Sequence, residues 1–200
     1  MLELWLIRHG ATDWNAQGRI LGHKDMPLSE LGQWQARRLA QRFARAATRF
    51  DAVYASDLTR ARVTAETALP YADVRLDPRL RELDYGVFEG ASWESLSADL
   101  ASLARHWREE PYTRRIPDGE SYDDVFTRFA SFRADLPATA TVAAFTHGGT
   151  VRAALYGLMG RPRRGTWRVE IENTGLTRLW FDERGVTVVA TNDHAHLDPG

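Results

Sequence analysis

Leu2-Glu3-Leu4-Trp5-Leu6-Ile7-Arg8-His9-Gly10 and Thr141-Val142-Ala143-Ala144-Phe145-Thr146-His147-Gly148-Gly149 decide how this chain is read. Each is a largely apolar run of strand length that stops at a histidine followed by glycine. Such runs fit strands buried on both faces. In an open α/β sheet, ligands bind beyond the carboxyl ends of the strands. Two strands of this kind would bring both imidazoles to one crevice, with Arg8 beside them as a fixed cation for an anionic ligand.

Outward from these runs, strand and helix signals alternate. Gly10 to Pro27 reads as a polar loop, and Ser29 stands where an N-cap belongs. Leu31, Trp34, Gln35, Leu39 and Phe43 then follow helical spacing. Residues 51–55 form a short strand, 58–69 a helix that stops at Pro70, and 74–76 a brief strand. Ser92 to Trp107 reads as an amphipathic helix with Trp93, Leu96, Leu100, Leu103 and Trp107 on one face. Ser121 to Asp124 resembles a capping box that opens a helix to about Leu136. A helix over 150–159 follows the second histidine, and strands over 176–181 and 186–191 close the chain as a hairpin. The expected fold is α/β, a three-layer sandwich with a mainly parallel central sheet flanked by helices. A single domain spans residues 1–200, and about 85–119 is a small lid insertion that caps the site.

Composition narrows the function classes. A hydrophobic content of 44%, a charged content of 26% and a formal net charge of −1 describe an ordinary soluble globular protein rather than a nucleic-acid binder. The one basic cluster, Arg161-Pro162-Arg163-Arg164, is short and reads as a solvated loop. With no cysteine, disulfides and thiolate metal sites are excluded. His194 and His196 lack a third ligand at suitable spacing, so no metal is expected. No apolar run approaches the roughly 18 residues of a membrane span, and no leader precedes the first strand, so a cytoplasmic address is expected.

A phosphate monoester needs fixed cations, oriented N–H groups, a neutral imidazole nucleophile and a proton donor for the departing oxygen. Each requirement has a candidate. His9 is the nucleophile and Arg8 its neighbouring cation. Asn15 can donate an amide hydrogen bond, and Arg60 sits early in the helix after the second strand. His147 and the Gly148 N–H face the crevice from the start of another helix, and Glu82 is the acid. Arg62 and Arg152 read as structural ion-pair partners. His23 borders the site, Trp93 and Trp107 line its mouth, and Arg114 with Arg115 either recognise a second anion or are solvated.

Arg8 to Asn15 resembles the opening signature of the histidine phosphatase superfamily, the branch of cofactor-dependent phosphoglycerate mutases and their phosphatase relatives. Residues 18–29, Ala55-Ser56-Asp57-Leu58-Thr59-Arg60-Ala61, Leu80-Arg81-Glu82-Leu83-Asp84-Tyr85-Gly86, Pro117-Asp118-Gly119-Glu120-Ser121 and His147-Gly148-Gly149-Thr150-Val151-Arg152 continue it in family order, with Asn173 and Asn192 late in the chain. The resemblance implies metal-independent hydrolysis of a small phosphorylated metabolite through phosphorylated His9, without a cofactor. Glu82 would be acid and then base, while Arg8, Asn15, Arg60, His147 and the loop of Leu21 and Gly22 hold the substrate. Mutases of the family carry a longer, lysine-containing segment after the acid. The short, lysine-free form here resembles the phosphatases, and a phosphoglycerate mutase is the alternative. Leu21 stands where phosphatase relatives commonly have glutamine, which favours a less polar or bulkier leaving group. An inactive scaffold relative should have lost one of these residues, and none is lost. A homodimer is common among relatives.

Overall fold

A computed structural model describes residues 1–161 and 168–198. In chain order the elements are β1 (Leu2–Arg8), α1 (Asp13–Ala16), α2 (Glu30–Arg45), β2 (Ala52–Ala55), α3 (Thr59–Ala68), β3 (Val74–Leu76), α4 (Ala98–Glu109), α5 (Tyr122–Ala134), β4 (Ala140–Thr146), α6 (Gly148–Met159), β5 (Leu176–Asp182) and β6 (Gly185–Asp193). They build one sheet in the order β3-β2-β4-β1-β5-β6. The first four of these strands run parallel, and the closing β5–β6 hairpin adds an antiparallel edge.

Side-chain alternation along the strands sorts the helices into two layers. Leu2, Leu4 and Leu6 of β1, with Val142 and Ala144 of β4, pack against Phe129 and Phe132 of α5 and Val151, Ala154 and Leu155 of α6. Trp5 and Ile7, with Ala143 and Phe145, face Leu39 and Phe43 of α2 and Ala65 and Ala68 of α3. Both faces of the central strands are therefore covered, which accounts for their near-continuous apolar sequences. A one-residue slip would exchange these two sets, each fully buried leucine contributing about 2 kcal/mol where it sits. Register is thus strongly specified where it matters, with Arg8 opposite Thr146. His9 and His147 consequently leave neighbouring strands at the same level.

Two local readings are corrected. The loop from Gly10 to Pro27 contains α1, one turn of helix held by a capping box between Thr12 and Asn15. The helix read over 92–107 begins only at Ala98, capped by Ser97, because Ser92 pairs with Arg19 in an isolated antiparallel bridge. Its buried residues are Ala104 and Trp107, whereas Leu103 is exposed. Ser29 and Ser121 do cap α2 and α5, the latter in a capping box with Asp124.

The segment after Glu82 leaves and returns at one place. Asp84 O accepts from Glu120 N at 3.0 Å, and Val87 N donates to Pro117 O at 3.2 Å. Between these points Phe88, Ala104, Trp107 and Ile116 pack with Ile20, Leu83, Val125 and Ala153 in a third apolar cluster. The segment is therefore packed down over the strand ends. Of the basic cluster, Pro162, Arg163 and Arg164 lie outside the described residues, and Arg161 pairs with Asp123.

Candidate active site

His9 continues the ladder for one bond past β1, its N–H reaching Thr146 O at 2.9 Å. From the other side, Asn173 Nδ2 donates to His9 O at 2.9 Å and Thr174 N to Arg8 O at 3.1 Å. Its ring is buried, and Nδ1 lies 2.6 Å from Gly10 O. A carbonyl accepts only, so Nδ1 carries the proton and Nε2 presents its lone pair. Burial, then Arg60 and Arg8, hold His9 well below the ordinary imidazole pKa. A neutral, oriented nucleophile is the result.

His147 is fully buried at the N-cap of α6, its ring centroid 5.1 Å from that of His9. Burial, then Arg60 and His9, lower its pKa as well. Among the described residues neither ring nitrogen has a partner, and the same is true of Arg8 Nε and Arg60 Nε. Arg60 is fully buried, with Nη1 donating to Lys24 O at 2.8 Å and Nη2 to Gly22 O at 2.7 Å. Burial pulls its pKa down to about 10, against the pull of Glu82, which leaves it cationic at neutral pH. Arg8 Nη1 is held by Ile171 O at 2.6 Å. Each unsatisfied buried polar group costs about 1–3 kcal/mol, so these nitrogens around His9 suit an anion as common partner, although Arg60 and His147 stand behind the cavity wall rather than in it.

Asn15 is oriented by the cap it belongs to. Its Oδ1 accepts from Thr12 N at 3.0 Å and Thr12 Oγ1 at 3.1 Å, so Nδ2 is the end left for a ligand. Glu82 follows β3 on a loop tied from several sides. Thr146 Oγ1 donates to Leu80 O at 2.7 Å and Thr150 Oγ1 to Arg81 O at 2.6 Å. Glu82 O itself meets Arg128 Nη2 at 2.8 Å and His23 Nε2 at 2.9 Å. His23 thus braces the acid candidate through its backbone. Arg8, His9, Asn15, Leu21, Gly22, Glu82 and Gly148 line one small cavity of about 160 Å³.

The structure also reassigns residues. Arg62 pairs with Glu66 at 3.0 Å, as a structural partner should. Arg152 does not behave that way: Tyr85, Trp93 and Arg152 share the cavity wall, and Arg152 Nε donates to Val169 O at 3.0 Å. Trp107 is buried against Trp93 rather than lining the mouth, the two rings stacked at 6.0 Å. Arg115 pairs with Asp124 at 2.7 Å, and Arg114 reaches His106 O at 3.0 Å and Glu110 at 3.6 Å, so neighbouring groups occupy both. His194 Nδ1 lies against Asn192 O and His196 Nε2 against Thr174 Oγ1. Among the described residues, no three His, Cys, Asp or Glu side chains gather as a metal site. No helix among them is long and apolar enough to cross a membrane.

Gly149 lies against the acid candidate, whose Oε1 accepts from Leu83 N at 2.9 Å. A Cβ there would lie 2.3 Å from Glu82 Oε1, the end of a flexible side chain that can swing away. Gly149→Ala is therefore expected to keep its melting temperature within a few degrees while kcat falls roughly 10- to 100-fold, the scale of general-acid catalysis. Thermal melts beside kinetic assays check this, and unchanged kcat would show that Glu82 needs no fixed position.

His9, His147 and His196 are all buried and all titrate below 6.5, His196 at about 4. Below pH 6.5 the unfolded chain takes up protons there that the folded chain refuses. Stability must then fall with pH from about 6.5 downward, by up to about 1.4 kcal/mol per pH unit for each group. Urea melts at about pH 7 and pH 5 measure it. Equal midpoints would mean that these imidazoles protonate in the folded state without cost.

Two buried imidazoles, buried arginines and the Glu82 carboxylate lie around the ends of the parallel strands, the kinds of group that a phosphate ester calls for. The chain belongs to the histidine phosphatase superfamily (branch 1), whose family model matches residues 4–194. It is 35% identical over 208 residues to a protein of Cronobacter sakazakii described as a probable phosphoglycerate mutase, GpmB, covering 99% of this chain and 96% of that one. The fold is similar to that of YhfR from Bacillus stearothermophilus, with a TM-score of 0.88 and 28% identity over 99% of this chain and 100% of that one. It is also similar to a phosphoserine phosphatase of Entamoeba histolytica solved with 3-phosphoglyceric acid. There the TM-score is 0.84, with 27% identity over 98% of this chain and 100% of that one.

Proposed function

We propose that the protein is a metal-independent phosphomonoesterase that works through a phosphohistidine on His9. The observation that carries this reading is the set of unpartnered buried nitrogens on Arg8, Arg60 and His147, gathered around an imidazole whose Nε2 is free. A phosphoryl group supplies acceptors for all of them at once.

In the first half-reaction, His9 Nε2 attacks phosphorus and the bond to the ester oxygen breaks. The protonated Glu82 carboxyl gives its proton to that oxygen. Phosphorylation at Nε2 makes the ring cationic, and the Nδ1–H bond to Gly10 O stabilises that charge. In the second, Glu82 takes a proton from water as the water oxygen attacks phosphorus. The P–N bond then breaks and inorganic phosphate departs. Arg8, Arg60, Asn15, His147 and the Gly148 N–H hold the equatorial oxygens while charge spreads over them, the principal catalytic contribution in phosphoryl transfer. The substrate is a small phosphorylated metabolite, because the cavity of about 160 Å³ falls below the range of drug-sized sites.

The full-length similarity to a protein described as a mutase favours a second reading, in which the phosphoryl group returns to a bound sugar acid. Phosphate release from a panel of monoesters in the presence of chelator separates the two. Release that survives chelation and disappears in His9→Ala supports the phosphatase. No release, with interconversion of 2- and 3-phosphoglycerate after bisphosphoglycerate priming, would replace it with the mutase.

A further inference from the structure

We propose that Arg152 is a specificity-determining residue that binds a carboxylate on the leaving group, so that the preferred substrates are compact phosphate monoesters of hydroxy acids. The proposal rests on the phosphatase reading of the site and deepens it.

Charge within the site is the first argument. Arg8, Arg60 and Arg152 face Glu82, while both imidazoles are neutral. Arg8 also lies near Glu172, and Arg60 near Asp25 and Glu89, so what singles out Arg152 is how its guanidinium is held and where it sits. Arg8 and Arg60 each keep a buried, unpartnered Nε, whereas Arg152 does not. Its Nε is engaged by Val169 O, and among the described residues it forms no ion pair. What it offers is the end-on fork of its two Nη groups, which matches a planar carboxylate better than a tetrahedral phosphoryl group.

Position is the second argument. Arg152 Nη1 and Arg8 Nε approach the same point, the Cβ position of Gly148, each to 3.5 Å. An anion on Arg152 would therefore lie only a few bonds from the phosphorus. Tyr85 and Trp93 complete that part of the cavity, and Tyr85 shares a hydrogen bond with Tyr122. Burial pushes the Tyr122 phenol up to about 12, so both rings stay neutral and add no competing anion beside the guanidinium. A cavity of about 160 Å³ leaves room for a short carbon chain between the two anionic ends.

The test uses two ligands that differ only at the distal group, 3-phosphoglycerate and glycerol 3-phosphate. Calorimetric titration into His9→Ala protein gives both affinities without turnover. The expected result is a preference for 3-phosphoglycerate of roughly 10- to 100-fold, the scale of a charge-assisted hydrogen bond. In His9→Ala/Arg152→Gln that preference should collapse to within about twofold, and Arg152→Lys should restore only part of it. No preference in the His9→Ala protein, or one that survives Arg152→Gln while both ligands weaken alike, would overturn the proposal. The second outcome would make Arg152 a phosphoryl ligand. If Arg152→Gln fails to fold, the Arg152→Lys ratio and the His9→Ala preference still decide. Phosphate release from the monoester panel stands apart: if it persists while the preference is absent, only the role of Arg152 falls.

Discussion

His9→Ala should lose roughly 10⁴- to 10⁶-fold in kcat, the scale of removing a nucleophile. Nothing else in the crevice can replace it. His147 is 5.1 Å away ring to ring, but among the described residues no carbonyl holds either of its nitrogens to fix which one carries the proton. Stability should move the other way, because the variant removes a buried imidazole that refuses protons in the folded state. Its stability should therefore fall less steeply than wild type below pH 6.5. Steady-state kinetics and urea melts at two pH values read both effects. A residual rate within about tenfold of wild type would remove His9 from the chemistry.

Arg60→Ala should damage both catalysis and folding. The guanidinium is fully buried and satisfies Gly22 O and Lys24 O, the two carbonyls that shape the loop over the site. Truncation leaves both unpaired at about 1–3 kcal/mol each, partly offset by relief of a buried charge. A net loss of about 2–4 kcal/mol follows. Loss of one fixed cation from the phosphoryl position should lower kcat/KM roughly 10³-fold. Arg60→Lys should recover little, since one ammonium cannot reach two carbonyls and the ligand together. The His9 pKa should rise in Arg60→Ala, as a cation that depresses it is gone. Kinetics, melts and an NMR titration of His9 check these effects, and full rescue by lysine would assign Arg60 a generic charge role.

Much of this arrangement was legible because periodicity and chemistry agree along β1 and β4. Both strands are apolar on two faces, and their parallel register brings the terminal histidines level. Ser29 and Ser121 were readable as caps because capping is local in sequence. What stayed hidden depends on contacts between distant segments. The short helix α1 exists through Thr12 and Asn15, which serve the site as well as the turn, and its single turn is too brief for a periodic signal. The lid helix starts late because Ser92 is claimed by Arg19, 73 positions away in the chain, a pairing with no local signature. Arg152 reads as an ion-pair partner from its helical position alone. In the fold its Nε finds a carbonyl at Val169, and the rest of the side chain faces the cavity. Arg128, a brace of Glu82 through the backbone, lies in a helix that the sequence marks only by its capping box.

The central claim, that His9 carries the phosphoryl group, is tested most directly by trapping it. Protein mixed with a hydrolysable monoester is quenched in alkali within milliseconds to seconds, digested, and analysed by mass spectrometry. A phosphoryl increment on the peptide containing His9, stable to base, labile to acid and absent in His9→Ala, is the predicted result. Steady phosphate release with no modified His9 at any quench time, even in Glu82→Gln, where hydrolysis of the intermediate should be slowed, would contradict it.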